Sequence, residues 1–235
     1  MIYVVADIHG QKVWFDDILQ QINFGEKDKL YILGDVIDRG PDGITLLQQI
    51  KDDPRMLMLL GNHEYMMLNS VKHPNDLDFL HLWYLNGGAP THEAYNTLND
   101  TEKDSLIRYL THLPLNRRIT LKGKKYLLVH GAPAEWYAQG KTAYLSKKYF
   151  AVWTRIPIHQ PIEEDVCIIF GHTPTTHYAG SKPKMQIWKR NDGKLIGMDC
   201  GCAYGGYPGQ LGCLRLDDMQ EFYSAKEPRH QDDIL

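Results

Sequence analysis

Gly34-Asp35-Val36-Ile37-Asp38-Arg39-Gly40 is the stretch whose reading decides this chain. It follows the apolar run Leu30-Tyr31-Ile32-Leu33, which reads as a short buried strand, and it ends in the turn signal Gly40-Pro41. Two carboxylates and a guanidinium therefore stand where a strand gives way to a loop. Open α/β sheets hold their ligands at that edge. Carboxylate oxygens suit hard divalent cations and an arginine fork suits phosphate, so the heptapeptide points to phosphate-ester chemistry on metal ions.

Outward from it, the arrangement recurs. Ile2–Ala6 predicts a strand that delivers Asp7-Ile8-His9-Gly10. On an extended segment a carboxylate and an imidazole two residues apart face the same side and can chelate one ion. Taken alone, Asp-x-His is a weak signal, because turn-forming aspartates and surface histidines are common. Lys12–Ile22 and Gly43–Lys51 predict helices, the first with Val13, Phe15, Ile18, Leu19 and Ile22 at helical spacing. Met56–Leu60 predicts a third buried strand, running into Gly61-Asn62-His63-Glu64. Three such ends separated by helices converge only if their strands lie side by side.

Residues 65–113 lack strand patterning and predict helices, with a bend at Lys72–Asp76 and a break at Gly87-Gly88. Trp83, Tyr84 and Tyr95 are expected to pack these helices onto the sheet, the alternative being a place on the rim of a substrate groove. Arg118–Leu121 and Lys125–Val129 predict a strand pair about Lys122-Gly123-Lys124, delivering His130; alone, that histidine reads as a core residue. Tyr149–Ile156 carries Trp153-Thr154-Arg155, and the strand Val166–Phe170 delivers Gly171-His172. Met185–Lys189 and Leu195–Met198 predict a hairpin about Asn191-Asp192-Gly193. The glycine-rich stretch Asp199–Gly212 carries Tyr204 and Tyr207, and Gly212–Leu216 predicts a last strand. A polar tail at about 226–235 has no assignment. Without a linker or repeat, residues 1–235 read as one domain.

Composition sets bounds. A chain of 235 residues, 43% hydrophobic and 23% charged, is ordinary for a globular domain. A net charge of −3 predicts no non-specific affinity for nucleic acid. No apolar run approaches the roughly 18 residues of a membrane span, and no targeting segment opens the sequence, so a cytoplasmic protein is expected. Cys167, Cys200, Cys202 and Cys213 lack zinc-finger spacing and read as reduced core residues, with a disulfide or a metal role as the lesser alternatives.

The strand-end groups are Asp7, His9, Asp35, Asn62, His130 and His172. Mixed nitrogen and oxygen ligands suit Mn²⁺, Fe²⁺ or Zn²⁺. Six side chains exceed the needs of one ion with an open position; they suit two ions about 3.5–4 Å apart, with Asp35 as the bridge. Two such ions, two ligand aspartates and a bridging hydroxide leave a charge of about +1, which attracts a phosphate dianion. An amide at position 62 preserves that charge; an aspartate would cancel it.

The collected motifs resemble the phosphoprotein phosphatase family of binuclear metallophosphoesterases, especially its small bacterial and bacteriophage members. Gly-Asp-x-His-Gly, Gly-Asp-x-x-Asp-Arg-Gly and Gly-Asn-His-Glu correspond to Ala6–Gly10, Gly34–Gly40 and Gly61–Glu64, and His130, Arg155 and Gly171-His172 match later positions. Ala6 departs from the usual glycine without removing a ligand. The extended C-terminal signature of the eukaryotic enzymes is absent, so their regulatory subunits and toxin sensitivity are not expected here. The resemblance implies an α/β (α+β) fold, calcineurin-like, with a central β-sandwich of mixed sheets flanked by helices. It implies two divalent ions, Mn²⁺ preferred over Fe or Zn, with Asp7, His9 and Asp35 on the first and Asp35, Asn62, His130 and His172 on the second. Arg39 and Arg155, with Asn62, would hold phosphoryl oxygens; a bridging hydroxide would attack phosphorus; and His63, oriented by Asp38, would protonate the leaving oxygen. Tyr204 is the candidate residue over the site. The expected substrate is phosphoserine or phosphothreonine in a protein, or a phosphorylated small molecule; the alternative is a dinucleoside tetraphosphate (Ap4A). A non-enzymatic scaffold would have lost a ligand, yet every ligand stands. A monomer is assumed.

Overall fold

The computed structural model describes residues 1–138, 141, 143–144, 146–159, 161–162, 165–179 and 185–225. In chain order it runs β1 (Ile2–Val5), α1 (Lys12–Gln21), β2 (Lys29–Ile32), α2 (Gly43–Asp52), β3 (Met56–Met58) and α3 (Asn62–Lys72). Three more helices follow, α4 (Leu77–Leu85), α5 (Ala89–Asn96) and α6 (Asp100–Thr111). Then come β4 (Asn116–Leu121), β5 (Lys124–Val129), α7 (Lys147–Trp153), β6 (Cys167–Phe170) and α8 (Thr176–Ala179). The last strands are β7 (Trp188–Lys189), β8 (Leu195–Gly197), β9 (Gly212–Arg215) and β10 (Glu221–Tyr223).

The strands form two five-stranded sheets, in the orders β10-β9-β1-β2-β3 and β4-β5-β6-β8-β7. Each sheet holds a parallel trio, β1-β2-β3 in one and β5-β6-β8 in the other. Antiparallel strands flank each trio. Both sheets are therefore mixed, and helices cover their outer faces, as the resemblance implies.

Period-two alternation sorts the side chains into layers. Val4, Ala6, Tyr31 and Leu33 of the first sheet meet Leu128, Ile169, Ile196 and Met198 of the second between the sheets. Their neighbours Tyr3, Val5, Leu30 and Ile32 face outward onto α1, α2 and α3, through Phe15, Ile18, Leu46, Leu47 and Met67. Leu127, Val129, Ile168 and Phe170 face outward from the second sheet toward Phe150 of α7. Strands buried on both faces must be apolar throughout, which is why these segments read as unbroken hydrophobic runs. Each fully buried aliphatic side chain contributes about 1.5–3 kcal/mol of transfer free energy.

Several expectations need adjusting. Trp83 and Tyr95 are buried in the helical layer, but Tyr84 is 44% exposed and packs on His92 at the surface. The hairpin about Asn191–Gly193 exists, yet Met185–Ile187 stays outside the strand. Strand β10 was not foreseen: it is short and half-buried, lacks apolar alternation, and owes its place to pairing with β9. All four cysteines are free and buried. The tail at 226–235 lies outside the described residues. Among the described residues no helix is long and apolar enough to cross a membrane.

Candidate active site

All six parallel strands end on a polar side chain at one rim of the sandwich: Asp7 after β1, Asp35 after β2, Asn62 after β3, His130 after β5, His172 after β6 and Asp199 after β8. Backbone bonds lace the first two ends together, Asp7 N–H to Gly34 O (3.2 Å), His9 N–H to Asp35 O (3.0 Å) and Gly10 N–H to Val36 O (2.8 Å). Gly34 has φ +90°, and a Cβ there would lie 2.6 Å from the Gly61 backbone, so the β2 and β3 ends meet only because no side chain intervenes.

The turns are strained. Asp7, His9, Asp35, Asp38, Arg39 and His172 all have positive φ, between +49° and +72°. This corrects the expectation that Asp7 and His9 face one side as a period-two pair: left-handed residues break that alternation. Asp7 instead receives the His172 N–H on both carboxylate oxygens (3.0 and 3.1 Å), and His9 turns toward Asp35. Such left-handed residues cost of order 1–3 kcal/mol each and concentrate at functional sites.

Two groups of potential ligand atoms, each within 4.8 Å of one another, share Asp35: His9, Asp35 and His63 in one, Asp35, His130 and His172 in the other. Asn62 joins the second, its Oδ1 lying 2.9 Å from His130 Nε2 and 2.8 Å from His172 Nδ1. His130 Nδ1 faces the Leu33 carbonyl at 2.6 Å and must donate to it, so the neutral ring presents a bare Nε2 to the Asn62 oxygen. Two ring nitrogens and the Asn62 amide thus converge on one point, a donor set that a cation among them would satisfy. His9 is held alike, with Nδ1 on Ile37 O at 3.1 Å. Carbonyl-oriented imidazoles of this kind are the common support of metal-ligating histidines. The donor set fits divalent ions.

The electrostatics agree. Burial pushes the pKa of His9 well down, helped by His63 and Arg39; burial and His130 take His172 down to about 3; burial lowers His130. These rings stay neutral and free to ligate. Burial raises Asp7, and Asp199 and Asp35 add to the rise. Burial works against Asp35 too, but His130, His63, His9 and His172 outweigh it and lower its pKa.

His63 lies as near Asp35 as His9 does, Nε2 to Oδ2 3.9 Å in both cases. What separates the two rings is the partner of Nδ1, which for His63 is the Asp38 carboxylate at 2.7 Å. Burial disfavours charge on His63, yet Asp35 and Asp38 prevail and its pKa is raised. A ring inclined to keep its proton suits a donor better than a ligand. Asn62 and His63 open helix α3, so their side chains diverge by helical rotation.

Arg39 is exposed, its Nη2 3.4 Å from His63 Nε2 and its backbone N–H on Gly87 O at 2.9 Å. Arg155 is also exposed, with Nη1 3.2 Å from His177 Nε2, and it lies near enough to His172 to help lower that ring's pKa. Tyr204 stands apart: it is 59% exposed in a tight turn, and no hydrogen bond or ring contact joins it to either convergent group among the described residues.

Sequence reasoning missed the support that three residues give the site, although it expected Trp83 to pack the helices. Trp83 donates to the Asp38 carboxylate, and the Gly87-Gly88 break lets α5 begin against its ring, since a Cβ on Gly88 would lie 2.4 Å away. Glu64 is fully buried and accepts four backbone N–H groups, from Asp35 (2.9 Å), Gly61 (3.1 Å), Val36 (2.8 Å) and Ile37 (3.3 Å). Its N3 position in α3, after Gly61, was the available signal. Asp199 accepts the Gly201 N–H at 2.9 Å, and burial together with Asp35 raises its pKa to about 6. A strand end after Leu195–Met198 was its signal.

Comparison with known proteins bears on this geometry. The profile of the family described as Calcineurin-like phosphoesterase matches residues 1–198. A protein of Acidovorax sp. (strain JS42) named "Bis(5'-nucleosyl)-tetraphosphatase, symmetrical" is 33% identical over 149 residues, which are 61% of this chain and 48% of that one. "Serine/threonine-protein phosphatase 2" of Escherichia coli (strain K12) is 34% identical over 145 residues, 60% of this chain and 62% of that one. The chain thus spans about half the length of the first relative and under two thirds of the second. A metallophosphoesterase structure from Sphaerobacter thermophilus covers 97% of this chain and 89% of its own, with a TM-score of 0.55 at 15% identity, a likeness of fold alone.

Proposed function

This chain belongs to the calcineurin-like phosphoesterase family, and from that premise we propose that it hydrolyses the phosphoanhydride bond of a dinucleoside tetraphosphate on a pair of divalent ions. Members of the family use a divalent metal centre, and the observation that carries the reading here is Asn62 Oδ1 set between His130 Nε2 and His172 Nδ1, beside the shared Asp35. The first relative's name supports the choice of substrate.

When bound, divalent ions supply an activated water nucleophile and offset phosphoryl charge. His9 and Asp7 would hold one ion, Asn62, His130 and His172 the other, and Asp35 both. Mn²⁺ is the preferred occupant. Arg39, beside His63, and Arg155, beside His177, grip non-bridging phosphoryl oxygens. His63 carries a proton for the leaving oxygen. Asp38 keeps that proton on the ring and aims it, Trp83 fixes Asp38, and Glu64 holds the Asp35 turn against the start of α3.

A phosphoserine or phosphothreonine protein is the second reading, and the His63–Asp38 pair favours it. An alkoxide leaves poorly without a proton, whereas a phosphate leaves readily, so a well-built acid is of most use on a phosphomonoester. The E. coli relative's name points the same way. Turnover of Ap4A and of a phosphopeptide panel, side by side with added Mn²⁺, tests the assignment. A kcat/KM for Ap4A at least tenfold above the best peptide is expected; the reverse order establishes the second reading, and turnover of neither defeats both.

A further inference from the structure

A cavity of about 400 Å³ opens between α3, α4 and α7, walled by the aromatic rings of Tyr65, Phe79, Tyr144, Tyr149 and Trp153. It adjoins the candidate metal ligands. The Trp153 ring stands edge-on to His172, with centroids 6.0 Å apart, and Tyr149 stacks on Trp153 at 5.8 Å and 29°. Tyr65 follows Asn62 by three residues on α3, about 4.5 Å along the helix axis, and meets Tyr149 edge-on at 6.0 Å. A substrate with its phosphate at Asn62 would therefore reach this cavity with its next rigid group.

We infer that the cavity is the subsite for one purine base of the substrate, stacked among Tyr65, Tyr144 and Tyr149 and read on its edge by the Asn69 amide; the inference rests on the dinucleotide reading above. Rings on several sides match a flat aromatic ligand, which stacks without regard to its detailed identity. Asn69 supplies the identity. It is half-buried on the α3 wall of a largely aromatic cavity whose lining also includes Ser146, and its side-chain amide has no hydrogen-bond partner among the described residues. A carboxamide offers one donor and one acceptor side by side, which is the complement of the N6/N7 edge of adenine. An aliphatic peptide side chain would leave that amide unpaired. Other aromatic residues do not line this cavity: Trp83 and Tyr95 are buried in the helical layer, and Tyr204 and Tyr207 are exposed on their loop.

The test is steady-state kinetics of the Mn²⁺-loaded enzyme on Ap4A, on its diinosine counterpart and on β-glycerophosphate, which has no ring, for wild type, Asn69→Ala and Tyr144→Leu. The specificity ratio of Ap4A over β-glycerophosphate should fall about 5- to 100-fold in each variant, chiefly through KM. Wild type should prefer adenine to hypoxanthine, and Asn69→Ala should lose that preference. Melting curves identify a variant that fails to fold, and Asn69→Asp, of equal size, then replaces Asn69→Ala. Unchanged ratios with Ap4A still cleaved overturn the subsite and leave the dinucleotide reading standing. A selective loss on phosphopeptides overturns it in favour of a peptide-binding cavity. A wild-type enzyme that leaves Ap4A uncut defeats the dinucleotide reading itself, and the base subsite with it.

Discussion

Trp83 donates its indole N–H to both oxygens of Asp38, at 3.0 and 2.9 Å, and the same carboxylate accepts from His63 Nδ1 at 2.7 Å. The backbone N–H of Asp38 is itself held, by Thr91 Oγ1 at 2.9 Å. Asp38 is fully buried, so each of these partners helps compensate its lost hydration. The consequence is a His63 ring with one allowed tautomer and one direction.

Trp83→Phe keeps an aromatic ring in the helical core and deletes only the donor and the smaller indole ring. Asp38 then gains freedom to rotate, and His63 loses its aim. The expected result is a kcat lowered roughly tenfold, the scale of loss for a residue that orients a catalytic or ligating group, with KM within about twofold of wild type. Initial-rate kinetics on a phosphopeptide read this directly, and p-nitrophenyl phosphate, whose leaving group needs no proton, should lose distinctly less. An unaltered kcat would reduce Trp83 to a packing residue.

For His63 the sign of the pH effect is fixed by its raised pKa. A donor works while protonated, so its contribution is full below that pKa and is lost as pH rises through it. His63→Asn should cut kcat on a phosphoserine peptide by roughly 10²–10⁴-fold, and distinctly less on p-nitrophenyl phosphate, whose leaving group needs no proton. The alkaline fall in kcat should disappear from the variant. Loss of bound metal in the variant, measured by elemental analysis, would make His63 a ligand instead.

Much of this was legible because one chemical pattern repeats. Apolar runs buried on both faces read as strands, and although no single end group, Asp7, Asp35, Asn62, His130 or His172, is decisive alone, a polar group closing run after run is. Local backbone geometry was not legible. Nothing in Asp7-Ile8-His9 announces two left-handed residues, since the cross-strand bonds to Gly34, Asp35 and Val36 impose them. The supports were hidden for the same reason. Trp83 lies 45 residues from Asp38, and Glu64 reads as an ordinary first-turn glutamate until the Asp35 turn folds over it. Asp199 escaped notice although its strand ends like the other five.

Metal removal should abolish activity, and Mn²⁺ should restore it better than Mg²⁺, because imidazoles supply half of the six candidate ligands. Binding should also release protons. Asp7 and Asp199 have raised pKa values in the metal-free site, through burial first and neighbouring carboxylates second, and a cation displaces the protons they retain. Affinity therefore rises with pH between about 5 and 7. Calorimetry in two buffers of different ionisation enthalpy measures the release. Identical apparent enthalpies in both buffers, or full activity after chelation, would contradict the assignment.

Arg39 and Arg155 are separated by their surroundings. Arg39 is tied by its backbone to Gly87 and stands 3.4 Å from His63, whereas Arg155 meets His177 and lies near His172. Replacing either by lysine removes the planar fork and keeps a point charge. The loss in kcat/KM should be roughly tenfold or more, the worth of about one charge-assisted hydrogen bond. Arg39→Lys should lower kcat as well as raise KM, because that guanidinium adjoins His63, the proposed proton donor. Wild-type values in both variants would leave the arginines outside phosphate recognition.

Glu64 gives the last test. Its carboxylate gathers four backbone N–H groups from the Asp35 turn and from Gly61, two on each oxygen. Glutamine has a single acceptor oxygen, so in Glu64→Gln two of those donors would face an amide N–H₂. Two buried donors without acceptors should cost about 2–4 kcal/mol, seen as a Tm lower by roughly 5–15 °C. The pH dependence carries a second signature. Burial, then Asp35, raises the Glu64 pKa to about 7 in the metal-free protein, against an ordinary value of 4.5. A carboxyl with a raised folded-state pKa contributes its stability in full below the unfolded value and loses it as pH climbs through the folded one. Metal-free wild type should therefore lose stability between pH 5 and pH 8 on account of Glu64, and Glu64→Gln, which does not titrate, should show a flatter profile over that range. Mn²⁺ should flatten the wild-type profile too, by neutralising the Asp35 charge that repels Glu64. Denaturant titrations at several pH values, with and without Mn²⁺, resolve all three slopes; a variant as stable as wild type and just as steep would show that Glu64 does not hold the Asp35 turn.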